Sequence, residues 1–354
     1  MELTALGFDD WFEQRSAALL QPGYRMARVT AVDRGAFLVR NQDAETYAEL
    51  AGKFRFQVAA AGDFPCVGDW VCVQCQASGG PALIHGVVPR KTFLRRKCPG
   101  KTVDFQMIAA NIDVAFVVQS CHYDFNIARL DRYLVMAREG RIEPRIVLTK
   151  IDLVAPGELE QEIAQIRHAG ISAEVLALSN TTGVGIDEFR TTLVPGKTFC
   201  LLGSSGVGKT TLINRLIGRD ALDTKAVSAT GEGVHTTARR QLLVLEGGAL
   251  LIDTPGMREL GLLGADDGMN EAFSEIHDLS LDCRFSNCTH TQEPGCAVLM
   301  ALERGELSEE RYGSYVKLKK ESDHHAMSYV DRRKKDKAFG RFVKSAKKQM
   351  KKEK

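Results

Sequence analysis

An eight-residue glycine-rich segment constrains the fold of this chain more than any other feature. It lies between an apolar stretch, Thr198 to Leu202, and a helix-like sequence that begins at Thr211. The segment consists of Gly203, Ser204, Ser205, Gly206, Val207, Gly208, Lys209 and Thr210. A strand, a glycine loop and a helix in this order are typical of a phosphate-binding P-loop, and an ordinary glycine-rich turn is the alternative. We therefore predict a nucleotide site in which Gly203 to Thr211 contact the phosphates.

Each part of the loop has a physical role in that prediction. Backbone N–H groups and the dipole of the following helix attract the anion, and Lys209 adds a mobile positive charge. Thr210 is a predicted Mg²⁺ ligand. Asp253 and Gly256 follow another apolar stretch, which favours a loop that senses the γ-phosphate. Asp253 is expected to reach the metal through water, and the Gly256 N–H to point at the phosphate.

A second motif indicates which base is bound. Thr149, Lys150 and Asp152 have the form [N/T]-K-x-D, in which the carboxylate accepts from two donors of guanine that adenine lacks. Ser179 and Asn180 follow a later strand, where a second base-contacting loop belongs. GTP is therefore predicted over ATP. Thr149 replaces the usual Asn and removes an amide that ties this loop to the P-loop, so we expect modest affinity.

These motifs occur in a rotated order. In an ordinary GTPase the P-loop comes first and the base-recognising loops come last, whereas here the base-recognising loops precede Gly203. Circular permutation is physically tolerable because the termini of a domain lie at its surface, often close together. Whatever follows Gly256 is then attached directly to a switch element.

Three thiols and one imidazole come next within fourteen residues. They are Cys283, Cys288, His290 and Cys296. This set predicts one closed, structural zinc site, with chance clustering as the alternative; four protein ligands leave no open position for catalysis. The other six cysteines are expected to be small core or surface residues.

Hydrolysis requires an oriented water, and Met257 occupies the position where many GTPases place a Gln. His235 is the nearest polar candidate, beside Thr236 and Thr237. Thr237 is predicted to hold Mg²⁺. We hypothesise that His235 positions the attacking water when a partner orders the loop. A solvated loop histidine is the alternative.

The remaining pattern predicts the architecture. Short β-rich runs from Tyr24 to about Lys97, including Phe54 to Val58, favour a small barrel of the OB-fold kind. Five basic residues follow its last strand. They either bind nucleic acid or form a charged exit loop of a purely structural barrel. They are Arg90, Lys91, Arg95, Arg96 and Lys97. An α/β alternation then predicts a mostly parallel, doubly wound sheet, with a helix over Ile127 to Glu139 and a hairpin over Arg239 to Ile252.

Charge and composition add expectations about partners. Residues 332–354 hold 12 Lys or Arg and two acidic residues, whereas the rest holds 43 acidic and 35 basic ones. A basic tail on an acidic body suits a polyanion such as RNA, although a solvated terminus is the alternative. Because no apolar run or leader indicates a membrane or export, we expect a cytoplasmic protein, and nothing demands more than a monomer.

From Ala27 to the cysteine cluster, the chain resembles the circularly permuted, ribosome small-subunit-dependent GTPase A family. The resemblance includes Val87 to Arg90, Ile108 to Asp113, Leu130 to Leu134, the Gly233 to Thr237 loop and the motifs above. It implies an OB-fold, a permuted GTPase domain and a helical zinc domain. It also implies late maturation of the small (30S) ribosomal subunit, with contacts to its 16S rRNA, GTPase activity stimulated by that subunit, and a catalytic role for His235.

We therefore expect an enzyme that hydrolyses GTP to GDP and phosphate to time its release from the subunit. A nucleotide-gated rRNA-binding module with incidental hydrolysis is the alternative, and a metabolic P-loop kinase is disfavoured by the guanine motif. The expected segments are an extension, the OB-fold, the GTPase domain, the zinc domain and a basic tail, at 1–23, 24–100, 101–265, 266–331 and 332–354.

Overall fold

The computed structural model describes residues 1–33, 36–58, 60–76, 79–98, 105–218, 240–253, 262 and 264–326. The strands of this described part are β1 (Tyr24–Val32), β2 (Phe37–Arg40), β3 (Glu45–Leu50), β4 (Trp70–Gln74), β5 (Ala82–Val87), β6 (Phe93–Lys97), β7 (Phe105–Ala110), β8 (Val114–Ser120), β9 (Glu143–Thr149), β10 (Val175–Leu178), β11 (Thr198–Leu202), β12 (Gln241–Val244) and β13 (Leu250–Asp253). The α-helices are α1 (Asp10–Ser16), α2 (Gly52–Gln57), α3 (Ile127–Glu139), α4 (Pro156–His168), α5 (Ile186–Thr191), α6 (Lys209–Ile217), α7 (Asp266–Ala272), α8 (Ser274–Ser280), α9 (Ala297–Glu303) and α10 (Glu309–Ala326). Short 3₁₀ turns lie at Leu3–Leu6, Ala61–Asp63 and Ile151–Leu153.

The first five strands close into a barrel. They pair in the order β1-β2-β3-β5-β4, and β4 returns to pair with β1. Only the β3–β5 pair among them is parallel. Side chains such as Val29, Val71 and Ile84 fill the interior. The predicted OB-fold, a five-stranded Greek-key barrel, is confirmed.

One segment of the barrel differs from the prediction. The alternation of Phe54 and Phe56 predicted a strand, but these residues lie in helix α2. Positions two apart on a helix point in different directions, so Phe54 packs on the barrel core while Phe56 is 93% exposed. The strand in this part of the barrel is β3 instead, which shows no clear alternation because Ala48 is its one fully buried residue.

The basic segment after the barrel is also not simply a loop. Arg95, Arg96 and Lys97 lie in β6, which pairs antiparallel with β7 in a separate two-stranded sheet. Arg90 contacts Asp69 at 2.8 Å, and Arg95 contacts Glu139 at 2.7 Å. These two arginines therefore have structural partners within the chain.

A second group of six strands forms the predicted α/β sheet. Their order is β10-β9-β8-β11-β13-β12, parallel except for β12. All of β8 is buried, because Phe116 packs with Phe199 on one face of the sheet while Ala115 and Val117 belong to the core on the other. The β12–β13 hairpin and helix α3 are confirmed. The carboxyl ends of β8, β9, β10 and β11 meet at one edge, where the predicted nucleotide loops lie.

A buried arginine joins the barrel to this sheet. Arg28 on β1 is 1% exposed and donates to Gly68 O at 3.2 Å, Asn111 O at 3.0 Å and Thr198 Oγ1 at 2.9 Å. It also donates to Leu6 O of the N-terminal segment. One side chain thus hydrogen-bonds to the barrel, the N-terminal segment and the first residue of the strand that precedes the P-loop.

Of the last four helices, α7 and α10 contact α3, while α8 packs on α7 and α9. Gly268 on α7 approaches the α3 backbone so closely that a Cβ there would lie 2.3 Å from Val135 O. Arg311 on α10 forms a buried ion pair with Asp131 at 2.8 Å. No helix in the described residues is long and apolar enough to cross a membrane.

Candidate functional site

The P-loop leaves β11 through a sharply turned glycine. Gly203 has φ 150°, and a Cβ at this position would lie 2.2 Å from Val118 O on the neighbouring strand. Only glycine fits that approach without displacing the strand. The loop then enters α6 at Lys209, so its backbone N–H groups and the helix N-terminus face the same edge of the sheet.

The charged groups around the loop match a phosphate and a hard cation. Lys209 Nζ donates to Gly203 O at 2.8 Å, so the ammonium lies over the loop. Burial raises the pKa of Asp253 to about 6, while the positive charge of Lys209 opposes that rise. The Asp253 carboxylate and the Thr210 hydroxyl are oxygen ligands of the kind that Mg²⁺ prefers. The chemistry of these two residues therefore suits Mg²⁺.

Both predicted base-recognising loops reach the P-loop. Asn180 Nδ2 donates to Gly208 O at 3.1 Å, and Ser179 Oγ accepts from the Thr181 and Thr182 N–H groups at 3.1 and 3.0 Å. Lys150 has a left-handed φ of 58°, and the exposed Asp152 follows it in a 3₁₀ turn. Segments that follow three strand ends therefore meet at one edge of the sheet.

Thr149 ties the guanine motif to the P-loop in its own way. The residue is fully buried, and its Oγ1 donates to Val207 O at 2.6 Å. The threonine lacks the amide of the usual asparagine, but its hydroxyl still connects the two loops. Nucleotide affinity itself stays a prediction.

Sequence reasoning missed three residues that adjoin the loop. Arg129 Nη1 donates to Ser204 Oγ at 2.7 Å and pairs with Asp124, and the Tyr133 hydroxyl also bonds to Ser204. The family resemblance drew attention to Leu130–Leu134 without assigning roles. The Asn126 side chain, which accepts from Arg129 N and caps α3, is the sequence signal that places Arg129 in the first turn.

The cysteine and histidine ligands converge as predicted. The ligand atoms of Cys283, Cys288, His290 and Cys296 all lie within 4.8 Å of one another. Sγ of Cys283 lies 3.9 Å from Sγ of Cys296 and 3.6 Å from Nδ1 of His290. A tetrahedral zinc with ordinary bond lengths requires about 3.8 Å between sulfurs and about 3.5 Å between sulfur and nitrogen. The four residues can therefore hold one metal ion.

Other predicted residues fall outside the described part of the chain. These are His235 and Thr237, with the rest of the Gly233 to Thr237 loop, and Gly256. The basic tail at 332–354 also lies outside it.

The sheet order, the P-loop and the two loops that precede it in the chain define the class of circularly permuted P-loop GTPases. A family model described as RsgA GTPase matches residues 87–263. A protein of Opitutus terrae named small ribosomal subunit biogenesis GTPase RsgA is 42% identical over 336 residues, which cover 92% of this chain and 91% of that protein. The chain belongs to the RsgA GTPase family.

Further comparisons agree with this family. A protein of the same name from Streptomyces coelicolor is 39% identical, covering 90% of this chain and 86% of the relative. The crystal structure of YjeQ from Thermotoga maritima has a TM-score of 0.63 at 28% identity, covering 83% of this chain and 97% of that one. The structure of YloQ, a circularly permuted GTPase, has a TM-score of 0.59 at 24% identity and covers 88% and 96%. The predicted permuted fold is confirmed.

Proposed function

We propose that this protein binds the small (30S) ribosomal subunit late in its maturation and hydrolyses GTP to GDP and phosphate to time its release. One observation carries the nucleotide part: the guanine motif, through Thr149, and the Ser179 loop, through Asn180, both hydrogen-bond to the P-loop backbone. The ribosomal part rests on membership of the RsgA GTPase family and on the names of the relatives.

The residues would divide the work as follows. Asp152 accepts from guanine, and the Lys150 stem covers the base plane. The backbone N–H groups from Gly203 to Thr211 and the Lys209 ammonium bind the phosphates and stabilise their negative charge. Thr210, Thr237 and Asp253 would hold Mg²⁺, and the bound ion would neutralise negative charge on the phosphates. The Gly256 N–H contacts the γ-phosphate, and His235 orients the attacking water.

The Cys3His cluster is proposed to hold one structural Zn²⁺. Its four ligands close the coordination shell, so the metal would fix the fold of the surrounding helices rather than bind substrate. Tyr312 supports the site from α10, because its hydroxyl donates to His290 O at 2.7 Å.

The protein acts as a cytoplasmic monomer that contacts 16S rRNA. Its functional segments are those predicted above: the extension at 1–23, the OB-fold at 24–100, the GTPase domain at 101–265, the zinc domain at 266–331 and the basic tail at 332–354.

Phosphate release tests the main proposal. Purified protein is assayed with GTP or ATP, alone and with 30S or 50S particles, at matched salt because polyanion contacts weaken with ionic strength. We expect 30S particles, but not 50S particles, to accelerate phosphate release from GTP relative to the protein alone. Equal rates with both particles, or equal use of ATP, would contradict it.

A histidine variant distinguishes release timed by GTP hydrolysis from an rRNA-binding module in which hydrolysis is incidental. His235→Ala should lose the stimulated rate and remain on the 30S particle with GTP, whereas normal release would favour an rRNA-binding module. An unchanged stimulated rate would reject the catalytic role of His235. Lys209→Ala, which should not bind nucleotide, serves as the reference for complete loss.

A further inference from the structure

Helix α3 touches the phosphate-binding loop through its first turns. Arg129 donates to Ser204 Oγ at 2.7 Å, and the Tyr133 hydroxyl, one helical turn later, bonds to the same side chain. Asp124 pairs with Arg129, and its other carboxylate oxygen is buried without a hydrogen-bond partner among the described residues. The arginine is therefore held in place at the P-loop.

The same stretch of α3 is also fixed to the C-terminal helix α10. Asp131 and Arg311, 1% and 5% exposed, form an ion pair at 2.8 Å. Arg132 donates through both terminal nitrogens to the Glu321 carboxylate, at 2.7 and 2.6 Å. Separating a buried or two-pronged ion pair is costly, so α3 and α10 should move together.

Helix α10 also binds the chain that leads away from the γ-phosphate motif. Glu321 accepts from Leu262 N at 3.3 Å, and Ser322 Oγ accepts from Ala265 N at 3.1 Å. Its Tyr312 donates to the cluster residue His290. One helix thus contacts the metal-ligand region, the segment that follows Asp253, and α3.

We propose that α3 couples the nucleotide site to the C-terminal helices, with Arg129 as the positioning residue that holds Ser204 of the P-loop. A partner that shifts α10 would change nucleotide affinity through Arg132, α3 and Arg129. By thermodynamic linkage, the nucleotide would change the affinity for that partner by the same factor. This inference rests on the proposed function, because it requires a nucleotide at the P-loop.

Equilibrium binding of fluorescent GDP to the full-length protein tests the coupling. Arg129→Met should weaken GDP binding by about tenfold or more, as expected for a lost charged hydrogen bond. Arg129→Lys should restore part of it. Glu321→Gln, which leaves every nucleotide contact in place, should weaken binding by about three- to tenfold.

The double variant decides the mechanism. If α3 transmits the effect, Glu321→Gln should change GDP affinity less than about twofold once Arg129 is Met. Additive losses, or a Glu321→Gln protein that melts earlier while binding GDP normally, would overturn the proposal. Arg132→Gln provides the same test from the other partner of the pair.

Two controls separate this inference from the proposed function. Arg145 on β9 pairs with the carboxylates of Glu143 at 3.0 Å and Glu174 at 3.2 Å, neither of which belongs to α3 or α10. Arg145→Met should therefore leave GDP affinity unchanged. If the wild-type protein bound no GDP, the nucleotide site itself would fail. If it bound GDP and Arg145→Met weakened binding as much as Glu321→Gln, the specific path through α3 would be wrong.

Discussion

Two residues of one motif differ in exposure although they are only three positions apart. Thr149 is fully buried and holds its loop to the P-loop, whereas Asp152 is exposed and available to a base. A substitution at Thr149 should therefore act on protein stability and on binding together. A substitution at Asp152 should act on base selection alone.

We predict that Asp152→Asn exchanges base preference. The amide loses the paired acceptance from guanine, so GDP affinity should fall by about tenfold to a hundredfold. Xanthine carries a carbonyl in place of the guanine amine, so the new amide should donate to it and xanthosine diphosphate should bind better than GDP. Competition against fluorescent GDP measures both. An unchanged preference for guanine would show that Asp152 does not contact the base.

We predict that Thr149→Val destabilises the loop junction. Valine has nearly the same shape but cannot donate to Val207 O, which would remain buried without this partner. The free energy of unfolding should fall by about 1–3 kcal/mol, and GDP affinity should fall with it. Urea titration and GDP binding measure the two effects. Thr192→Val, whose hydroxyl donates to Phe189 O within its own helical turn, should leave GDP binding unchanged.

Close backbone packing, as well as ion pairs, holds the C-terminal helices against α3. Helix α7 lies against α3 at Gly268, where a Cβ would meet Val135 O at 2.3 Å and Glu139 N at 2.7 Å. Glu139 also accepts from Gly268 N at 3.1 Å. This contact fixes the start of the C-terminal helices against the same helix that touches Ser204.

We predict that two glycine-to-alanine substitutions in helices change the free energy of unfolding in opposite directions. Gly268→Ala should lower the free energy of unfolding by about 1–3 kcal/mol, because the methyl group collides with the α3 backbone. Gly313→Ala on α10 meets no atom within 4 Å, and should raise it by about 1 kcal/mol through helix propensity. Thermal and urea denaturation of both variants test this. Stabilisation by Gly268→Ala would mean that α7 packs differently.

For the whole molecule, the permuted fold is predictable from local motifs, because each motif is formed by residues that are close together in the sequence. The P-loop, the guanine motif and the Cys3His spacing each lie within fourteen residues. Strand β3 carries no alternating pattern because only Ala48 of its six residues is buried, and α2 resembles a strand because two phenylalanines alternate. Contacts between distant segments, such as Arg132 with Glu321, leave no pattern in a single sequence.

Loss of the metal should destabilise the structure around the Cys3His cluster. Purified protein should contain about one zinc per chain, because the four ligands close a single site. Cys288→Ser should lose that zinc, lower the melting temperature and increase amide exchange around residues 283–307, since the bound metal stabilises the folded ligand set. Cys75→Ser, at an exposed cysteine outside the cluster, should retain both zinc and melting temperature. Full zinc content in Cys288→Ser, or unchanged exchange after chelation, would contradict a structural Cys3His site.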